Sequence, residues 1–240
     1  MSLLGRKGVV VRQIERADAA IVQKMATYGV ATIHEAQGRS GLLAAHIRPI
    51  QQGICISGSA ITLSVAPADN WMFHVAVEQC QTGDIIVVAP TSPCIDGYFG
   101  DLLATSMQAH GVIGLVGDIG VRDSQTLREM GFYVWSRAVY AQGTVKATLG
   151  SVNLPIICAG QLVHAGDVVV ADDDGVVIVP RQRVNEVQQL SQKRMELEES
   201  KRQRMANGEL GLDIYQMREE LAAKGLIYVD HIRDLGPSTD

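Results

Sequence analysis

Residues 112–131, VIGLVGDIGVRDSQTLREMG, join three unlike pieces. VIGLVG (112–117) is an apolar run of strand length. SQTLREMG (124–131) carries a helical pattern closed by glycine. Between them lies GDIGVRD, where an arginine and an aspartate sit side by side behind two glycines. A buried strand running into a helix is the unit of an α/β fold. In open α/β sheets the crevice lies beyond the carboxyl ends of the strands, which is where Arg122 and Asp123 fall. Two local readings stand. Asp123 caps the helix while Arg122 is solvated, or the pair faces a cleft. Gly117 and Gly120 would let the chain turn closely around it.

The same grammar extends outward in both directions. GSAITLSVA (58–66) and IIVVAP (85–90) read as strands, the second entered through a TGD turn. NWMFHVAVEQC (70–80) reads as a helix with Asn70 as a possible cap. DLLATSMQAHG (101–111) is a helix ending before Gly111. Residues 14–37 look helical, with Ile21, Val22 and Met25 at helical spacing and a break at Gly29. After the short strand YVWSR, residues 153–180 show apolar runs split by AGD and DDDG turns, which predicts a compact antiparallel sheet closed by Pro180. Residues 181–208 are charged, with sparse apolar positions at Val184, Val187, Leu190 and Leu197. LDIYQMREELAAKG (212–225) predicts a second amphipathic helix. The expected organisation is an α/β core over 1–180 and a helical C-terminal arm over 181–240, with no linker between them.

Composition narrows the function classes. At 240 residues the chain has enough length for one substantial core. It is 47% hydrophobic and only 5% aromatic, so Val, Ile, Leu and Ala must build that core. A net charge of -5 argues against a nucleic-acid surface while permitting a local basic pocket. The N-terminus lacks a signal-peptide pattern, and no apolar run nears the roughly 20 residues that span a bilayer. A cytoplasmic protein without membrane contact is expected. Cys55, Cys80, Cys94 and Cys158 are scattered and read as buried, reduced thiols. VGDIG is not a dinucleotide fingerprint.

Three features could carry chemistry. In DGYFGDLLA (96–104), Gly100 precedes Asp101 where a helix begins. The amides of Leu102 and Leu103 are then first-turn donors, suited to a carboxylate or phosphate. Locally, Asp101 could equally cap its own helix. Arg122 could fork onto a carboxylate or enolate oxygen, and Asp123 could ligate a hard divalent cation. Glu198 and Glu199 lie in the charged arm, whose default is a solvated face.

Together these residues define D-x20-R-D: Asp101, 20 intervening residues, then Arg122 and Asp123. Around that spacing stand GVATIHEAQGR (29–39), RPIQQG (48–53), PADNWMFHVAVEQC (67–80), SPCIDGYFGDLLATS (92–106), GVRDSQTLREMGFYVW (120–135), GSVNLPI (150–156), GDVVVADDDGVV (166–177) and GELGLDIY (208–215). Over nearly its whole length the chain resembles the class II pyruvate aldolases that cleave 4-hydroxy-4-methyl-2-oxoglutarate and 4-carboxy-4-hydroxy-2-oxoadipate in aromatic-acid catabolism. These are part of a larger family named for the regulator of ribonuclease E activity. The resemblance implies a three-layer α/β/β sandwich of the swivelling phosphohistidine-domain type, assembled as a homotrimer or homohexamer. It implies that Asp123 ligates Mg2+ or Mn2+ directly and that Asp101 holds metal-bound water. Glu198, with Glu199 the competing choice, would reach the same water shell from a neighbouring subunit. It further implies that Arg122 meets the pyruvyl group and that Gly100, Asp101, Leu102 and Leu103 line the pyruvyl carboxylate site.

The chemistry agrees with that donor set. Cleaving the C3–C4 bond of a 4-hydroxy-2-oxo acid leaves pyruvate enolate, which needs a lysine Schiff base or a Lewis-acid cation. No lysine sits in an apolar strand, and Lys146 in TVKATLG reads as exposed. An all-oxygen shell suits Mg2+ or Mn2+ better than zinc. Metal-bound water is the expected proton carrier, since His34 and His74 read as core or surface residues. Oxaloacetate decarboxylation, which forms the same enolate, is the expected side activity. Arg39, Arg48 and Arg137 are candidates for a distal carboxylate by charge alone. The alternatives are a non-catalytic regulator that binds a ribonuclease, and a dedicated oxaloacetate decarboxylase.

Overall fold

A computed structural model describes residues 3–236. In chain order the elements are β1 (Val9–Val10), α1 (Ala19–Met25), α2 (Val30–Ala36), β2 (Arg48–Pro49), β3 (Ile56–Val65), α3 (Trp71–Val77), β4 (Asp84–Pro90), β5 (Gly97–Phe99), α4 (Asp101–Ala109), β6 (Gly114–Val121), α5 (Ser124–Glu129) and β7 (Tyr133–Val139). There follow β8 (Ser151–Val152), β9 (Ile156–Cys158), β10 (Gln161–Val163), β11 (Val168–Asp172), β12 (Gly175–Val179), α6 (Val184–Ala206), α7 (Gly211–Ile214) and α8 (Arg218–Ala223).

The main sheet runs β1-β8-β3-β4-β6-β7-β2, with β3, β4, β6 and β7 parallel. Period-two alternation divides its side chains between two faces. Ile61, Leu63, Ile86, Val88, Leu115 and Val134 point to the face that packs on α3, α4 and α5 through Met72, Phe73, Leu103, Met107 and Leu127. Ala60, Ile85, Val87, Val116 and Trp135 point the other way, onto Val169, Ala171, Val176 and Ile178 of the β11–β12 hairpin. The hairpin's opposite face, Val168, Val170, Val177 and Val179, is covered by Val22 and Met25 of α1, Val30 and Ile33 of α2, and Val184 and Val187 of α6. Through the core the order is therefore helices, sheet, hairpin, helices. β3 bridges two of these layers: its first half pairs with β11 and its second with β4.

Several expectations change. The helical region 14–37 resolves into α1 and α2, and α1 starts only after Asp18, whose side chain accepts from the Ala20 and Ile21 amides. The 153–180 region is antiparallel as expected but forms two hairpins rather than one sheet: β9 and β10 make a separate two-stranded sheet, whereas β11 and β12 join the main sheet through β3. The strand expected to stop at Gly117 continues to Val121, with a register shift between Gly117 and Gly120. Asn70 takes the N-cap position of α3 without a side-chain cap bond; Asp69 accepts from the Trp71 amide instead. The amphipathic helix at 212–225 is two short helices, α7 and α8, interrupted where Gln216 adopts φ 55°. Of the four thiols only Cys158 is buried, and burial pushes it up to about 12, whereas Cys55 is exposed.

The chain divides into two compact units, Met1–Arg194 and Met195–Asp240. The boundary falls inside α6, since Val184 and Val187 belong to the first core. From Met195 to Gly236 no residue is buried. Among the described residues no helix is long and apolar enough to cross a membrane.

Candidate active site

Three strand ends build one cleft in the first unit. β5 ends at Phe99, Gly100 follows, and α4 begins at Asp101. β6 ends at Val121, and Arg122 and Asp123 lead into α5. The segment after β3 supplies Asn70. The resulting cavity of about 100 Å³ is lined by Asn70, His74, Tyr98, Gly100, Asp101, Leu102, Leu103, Arg122, Asp123 and Lys146. Gly100, Asp101, Leu102, Leu103, Arg122 and Asp123, all named from the sequence, thus share one site.

The local readings separate here. Asp123 occupies the position before α5 in the left-handed region, φ 55° and ψ 33°, and its side chain makes no cap bond. Its carbonyl accepts the Leu127 amide, so its backbone starts the helix while its carboxylate turns to the cleft. There Oδ2 accepts the Asp101 amide at 3.3 Å and lies 3.6 Å from Arg122 Nε. A Cβ at Gly100 would fall onto Asp123 Oδ2, well inside contact distance, so any larger residue there would displace the carboxylate from its present place. Its N-cap bond is made by backbone alone, Ala104 N–H donating to the Gly100 carbonyl at 3.0 Å. Asp101 is therefore the first helical residue. Its Oδ1 accepts the Leu102 amide at 2.8 Å, so that amide is already engaged. The Arg122 backbone is tied to β5 by its amide, which donates to the Phe99 carbonyl at 2.8 Å.

The donor chemistry fits a hard divalent cation. Among the described residues no group of three or more His, Cys, Asp or Glu side chains is placed to hold a metal. Asp123 and Asp101 would be the protein's share, with water and substrate completing the shell. Mg2+ is commonly held in this way, by one or two carboxylates. Zinc favours nitrogen and sulfur ligands, and among the residues lining the cleft His74 alone offers one.

Sequence reasoning did not place Asn70, Tyr98, His74 or Lys146 in the site. Lys146 is exposed as expected, but a cleft contact of a loop 23 residues beyond Asp123 has no local signal. His74 lies on the same rim, with its pKa lowered by burial and by the Lys146 charge. The arginines chosen by charge go elsewhere. Arg39 pairs with Glu35, Arg48 donates to the Asp174 carbonyl, and Arg137 binds Asp118 at 2.6 Å. None of the three lines the cleft. Glu198 and Glu199 lie on α6 beyond Met195, in the second unit. Glu199 is bonded to Arg202 and Gln203 of its own helix.

A family model described as RraA-like, Aldolase/RraA, matches residues 18–178. The chain belongs to this family. Among its RraA-like relatives, a Halalkalibacterium halodurans protein provisionally named 4-hydroxy-4-methyl-2-oxoglutarate aldolase is 25% identical over 202 residues. That match spans 84% of this chain and 96% of the relative. A Burkholderia multivorans protein with the same provisional name is 30% identical over 156 residues, 64% of this chain and 94% of the relative. Among solved structures, Streptomyces coelicolor RraAS2, described as an unusual member of the RNase ES inhibitor RraA protein family, superposes with a TM-score of 0.70 at 29% identity. It covers 79% of this chain and 100% of its own.

Proposed function

We propose that this RraA-like protein is a divalent-metal-dependent lyase that cleaves 4-hydroxy-2-oxo acids, including 4-hydroxy-4-methyl-2-oxoglutarate and 4-carboxy-4-hydroxy-2-oxoadipate, to pyruvate and a second oxo acid. The observation that carries the proposal is the convergence in one cleft of Asp101, Arg122 and Asp123 with the first-turn amides of α4. The names of the two relatives point the same way.

In this reading the α4 N-terminus receives the C1 carboxylate. The Leu103 amide is an unpartnered first-turn donor by helix geometry. The Leu102 amide would exchange its bond to Asp101 Oδ1 for one to substrate, which frees the Asp101 carboxylate. The C3–C4 bond then breaks, its electron pair moving toward the 2-oxo oxygen while the C4 hydroxyl passes its proton to a water in the cleft as the second carbonyl forms; C3 of the resulting enolate takes a proton back from water to give pyruvate. Arg122 stabilises the oxygen that gains charge. Asp123, with Asp101, would hold Mg2+ or Mn2+, which supplies Lewis-acid polarisation of the 2-oxo group. Glu198 from a neighbouring subunit is proposed to complete the water shell, in a homotrimer or homohexamer. The layer order further supports a sandwich of the swivelling phosphohistidine-domain type.

A pyruvate-coupled assay tests the reading. Mg2+-dependent pyruvate release from 4-hydroxy-4-methyl-2-oxoglutarate, abolished by EDTA and by Asp123→Ala, is expected. Release that survives in Asp123→Ala would remove Asp123 as ligand. Absence of release, together with binding to a ribonuclease, would favour the regulatory role that the description of the Streptomyces relative carries. Oxaloacetate decarboxylation is expected as the weaker activity, and its dominance would identify a decarboxylase.

A further inference from the structure

β6 reaches the cleft through a bulge. Between its pairs Gly117–Ser136 and Gly120–Ala138 with β7, β6 has Asp118 and Ile119 where β7 has Arg137 alone. Bulges bend a strand, and beside a functional site they re-aim the side chains that follow. Here Arg122 and Asp123 follow. Ile119 is buried in the helix-side core. The Asp118 side chain turns the other way, and its Oδ1 accepts Arg137 Nε–H at 2.6 Å. His46 Nε2 lies 2.9 Å from the same oxygen and donates in the tautomer protonated there. His46 belongs to the segment between α2 and β2. That segment is tied to the β9–β10 turn by the Ala44 amide on the Ala159 carbonyl, and to β12 by the Leu43 amide on the Val176 carbonyl. One carboxylate therefore joins β6, β7 and the hairpin-side segment.

An aspartate inside a strand needs partners, because its side chain competes for nearby backbone groups and is depleted from sheets. Burial would raise the Asp118 carboxyl, but hydrogen bonds from Arg137 and His46 hold it below the usual aspartate value. It is therefore a carboxylate at neutral pH, and charge-assisted bonds of this kind are short and directional. The stretch beyond it has no slack. At Gly120 a Cβ would strike the Ile95 carbonyl. The Val121 carbonyl accepts the Tyr140 amide at 2.9 Å, and the Arg122 amide is bonded to Phe99. A Cβ at Gly97 would lie 3.2 Å from Arg122 Cβ. A shift of the bulge is thus passed on to Arg122 and Asp123, since closely packed chain transmits strain. Asp118, Arg137 and His46 themselves lie outside the cleft lining.

We propose that Asp118 is a positioning residue for Arg122 and Asp123: clamped by Arg137 and His46, it fixes the bulge that sets the end of β6 in the cleft. The proposal rests on the metal-dependent lyase reading and adds to it a group that touches neither substrate nor cation. A small displacement suffices, because a reacting group misplaced by about 1 Å can cost about 100-fold in rate.

Mn2+ binding and turnover, read separately, test it. In Asp118→Ala, Arg137 and His46 keep access to solvent, so no buried charge is stranded. Its Mn2+ dissociation constant, from calorimetry without substrate, is expected to rise about tenfold, and kcat at saturating Mn2+ to fall about tenfold. KM for 4-hydroxy-4-methyl-2-oxoglutarate, set by the α4 amides in this reading, should change by less than about threefold. Asp118→Asn keeps an oxygen for both donors and should restore most of both losses. Arg16→Gln is the stability control. It breaks the bidentate pair of Arg16 with buried Asp84, the first residue of β4, at the opposite end of the parallel strands from the cleft. It should lower the melting temperature and leave Mn2+ affinity and kcat unchanged. Either value at its wild-type level in Asp118→Ala, or equal losses in Arg16→Gln, overturns the proposal and leaves the lyase reading standing. If the wild type binds Mn2+ but releases no pyruvate, the lyase reading falls and the Mn2+ shift alone decides the proposal. A wild type that neither binds Mn2+ nor releases pyruvate overturns both.

Discussion

Asp123 carries two roles because it sits where an aspartate seldom sits. The left-handed region costs an ordinary residue about 1–2 kcal/mol, less for Asp and Asn, and such strain gathers at functional sites. Here the conformation turns the carboxylate away from the α5 amides and toward Gly100 and Asp101. Gly100 leaves room for it, since a Cβ at that position would meet the carboxylate. Arg122 follows with its backbone fixed on β5 and its side chain half-exposed in the cleft. Its guanidinium presents a planar fork that a lysine lacks. We expect Arg122→Lys to lower kcat by about 100-fold, near 3 kcal/mol, with a melting temperature close to wild type. Turnover within threefold of wild type in that variant would exclude Arg122 from stabilising the enolate.

At the scale of elements, regular periodicity was readable and its exceptions were not. The apolar runs of β3, β4 and β6 and the glycine-terminated α4 and α5 follow from residue type and spacing. The extension of β6 through Asp118 does not, because GDIG has the composition of a turn. The strand persists because Gly117 and Gly120 leave room for Ile119 and for the Ile95 carbonyl. The break between α7 and α8 falls at a glutamine with positive φ, which no propensity marks. Nor does spacing reveal that Asp69 ties α3 to residues 145–148. Burial alone would raise the Asp69 carboxyl, but the amides of Trp71, Ala147 and Thr148 and the Lys146 charge hold it below the usual aspartate value. A depressed folded pKa contributes stability that is fully present above the unfolded value, near 4, and lost as pH falls through the folded value. Asp69→Asn should therefore be less stable than wild type by about 2 kcal/mol at neutral pH. The gap should stay level down to about pH 5 and close below about pH 4. Melting curves across that range check it, and a gap that widens toward acid would contradict the assignment.

At the scale of the whole molecule, the two units differ in kind. The first has a layered core filled by Val, Ile and Leu on both faces of the sheet. Among its described residues the second buries none while exposing Leu197, Leu210, Tyr215, Ile227, Tyr228 and Ile232. Helices without a buried face gain little from propensity alone, so this unit needs a covering surface. Self-association is the expected source, and sedimentation equilibrium should return a mass three or six times that of the monomer. A monomer at micromolar concentration would remove the neighbouring-subunit role given to Glu198. The sequence by itself determined the α/β alternation, the strand-to-helix junctions at Gly100 and Asp123, and the spacing that links them, because these depend on local periodicity and residue chemistry. Only the tertiary structure decided that Asp123 turns its carboxylate into the cleft, that Lys146 stands beside it, and that Arg39, Arg48 and Arg137 do not. Those outcomes depend on which backbone amides and acids meet across long stretches of chain, and such meetings leave no mark on the spacing of residues along it.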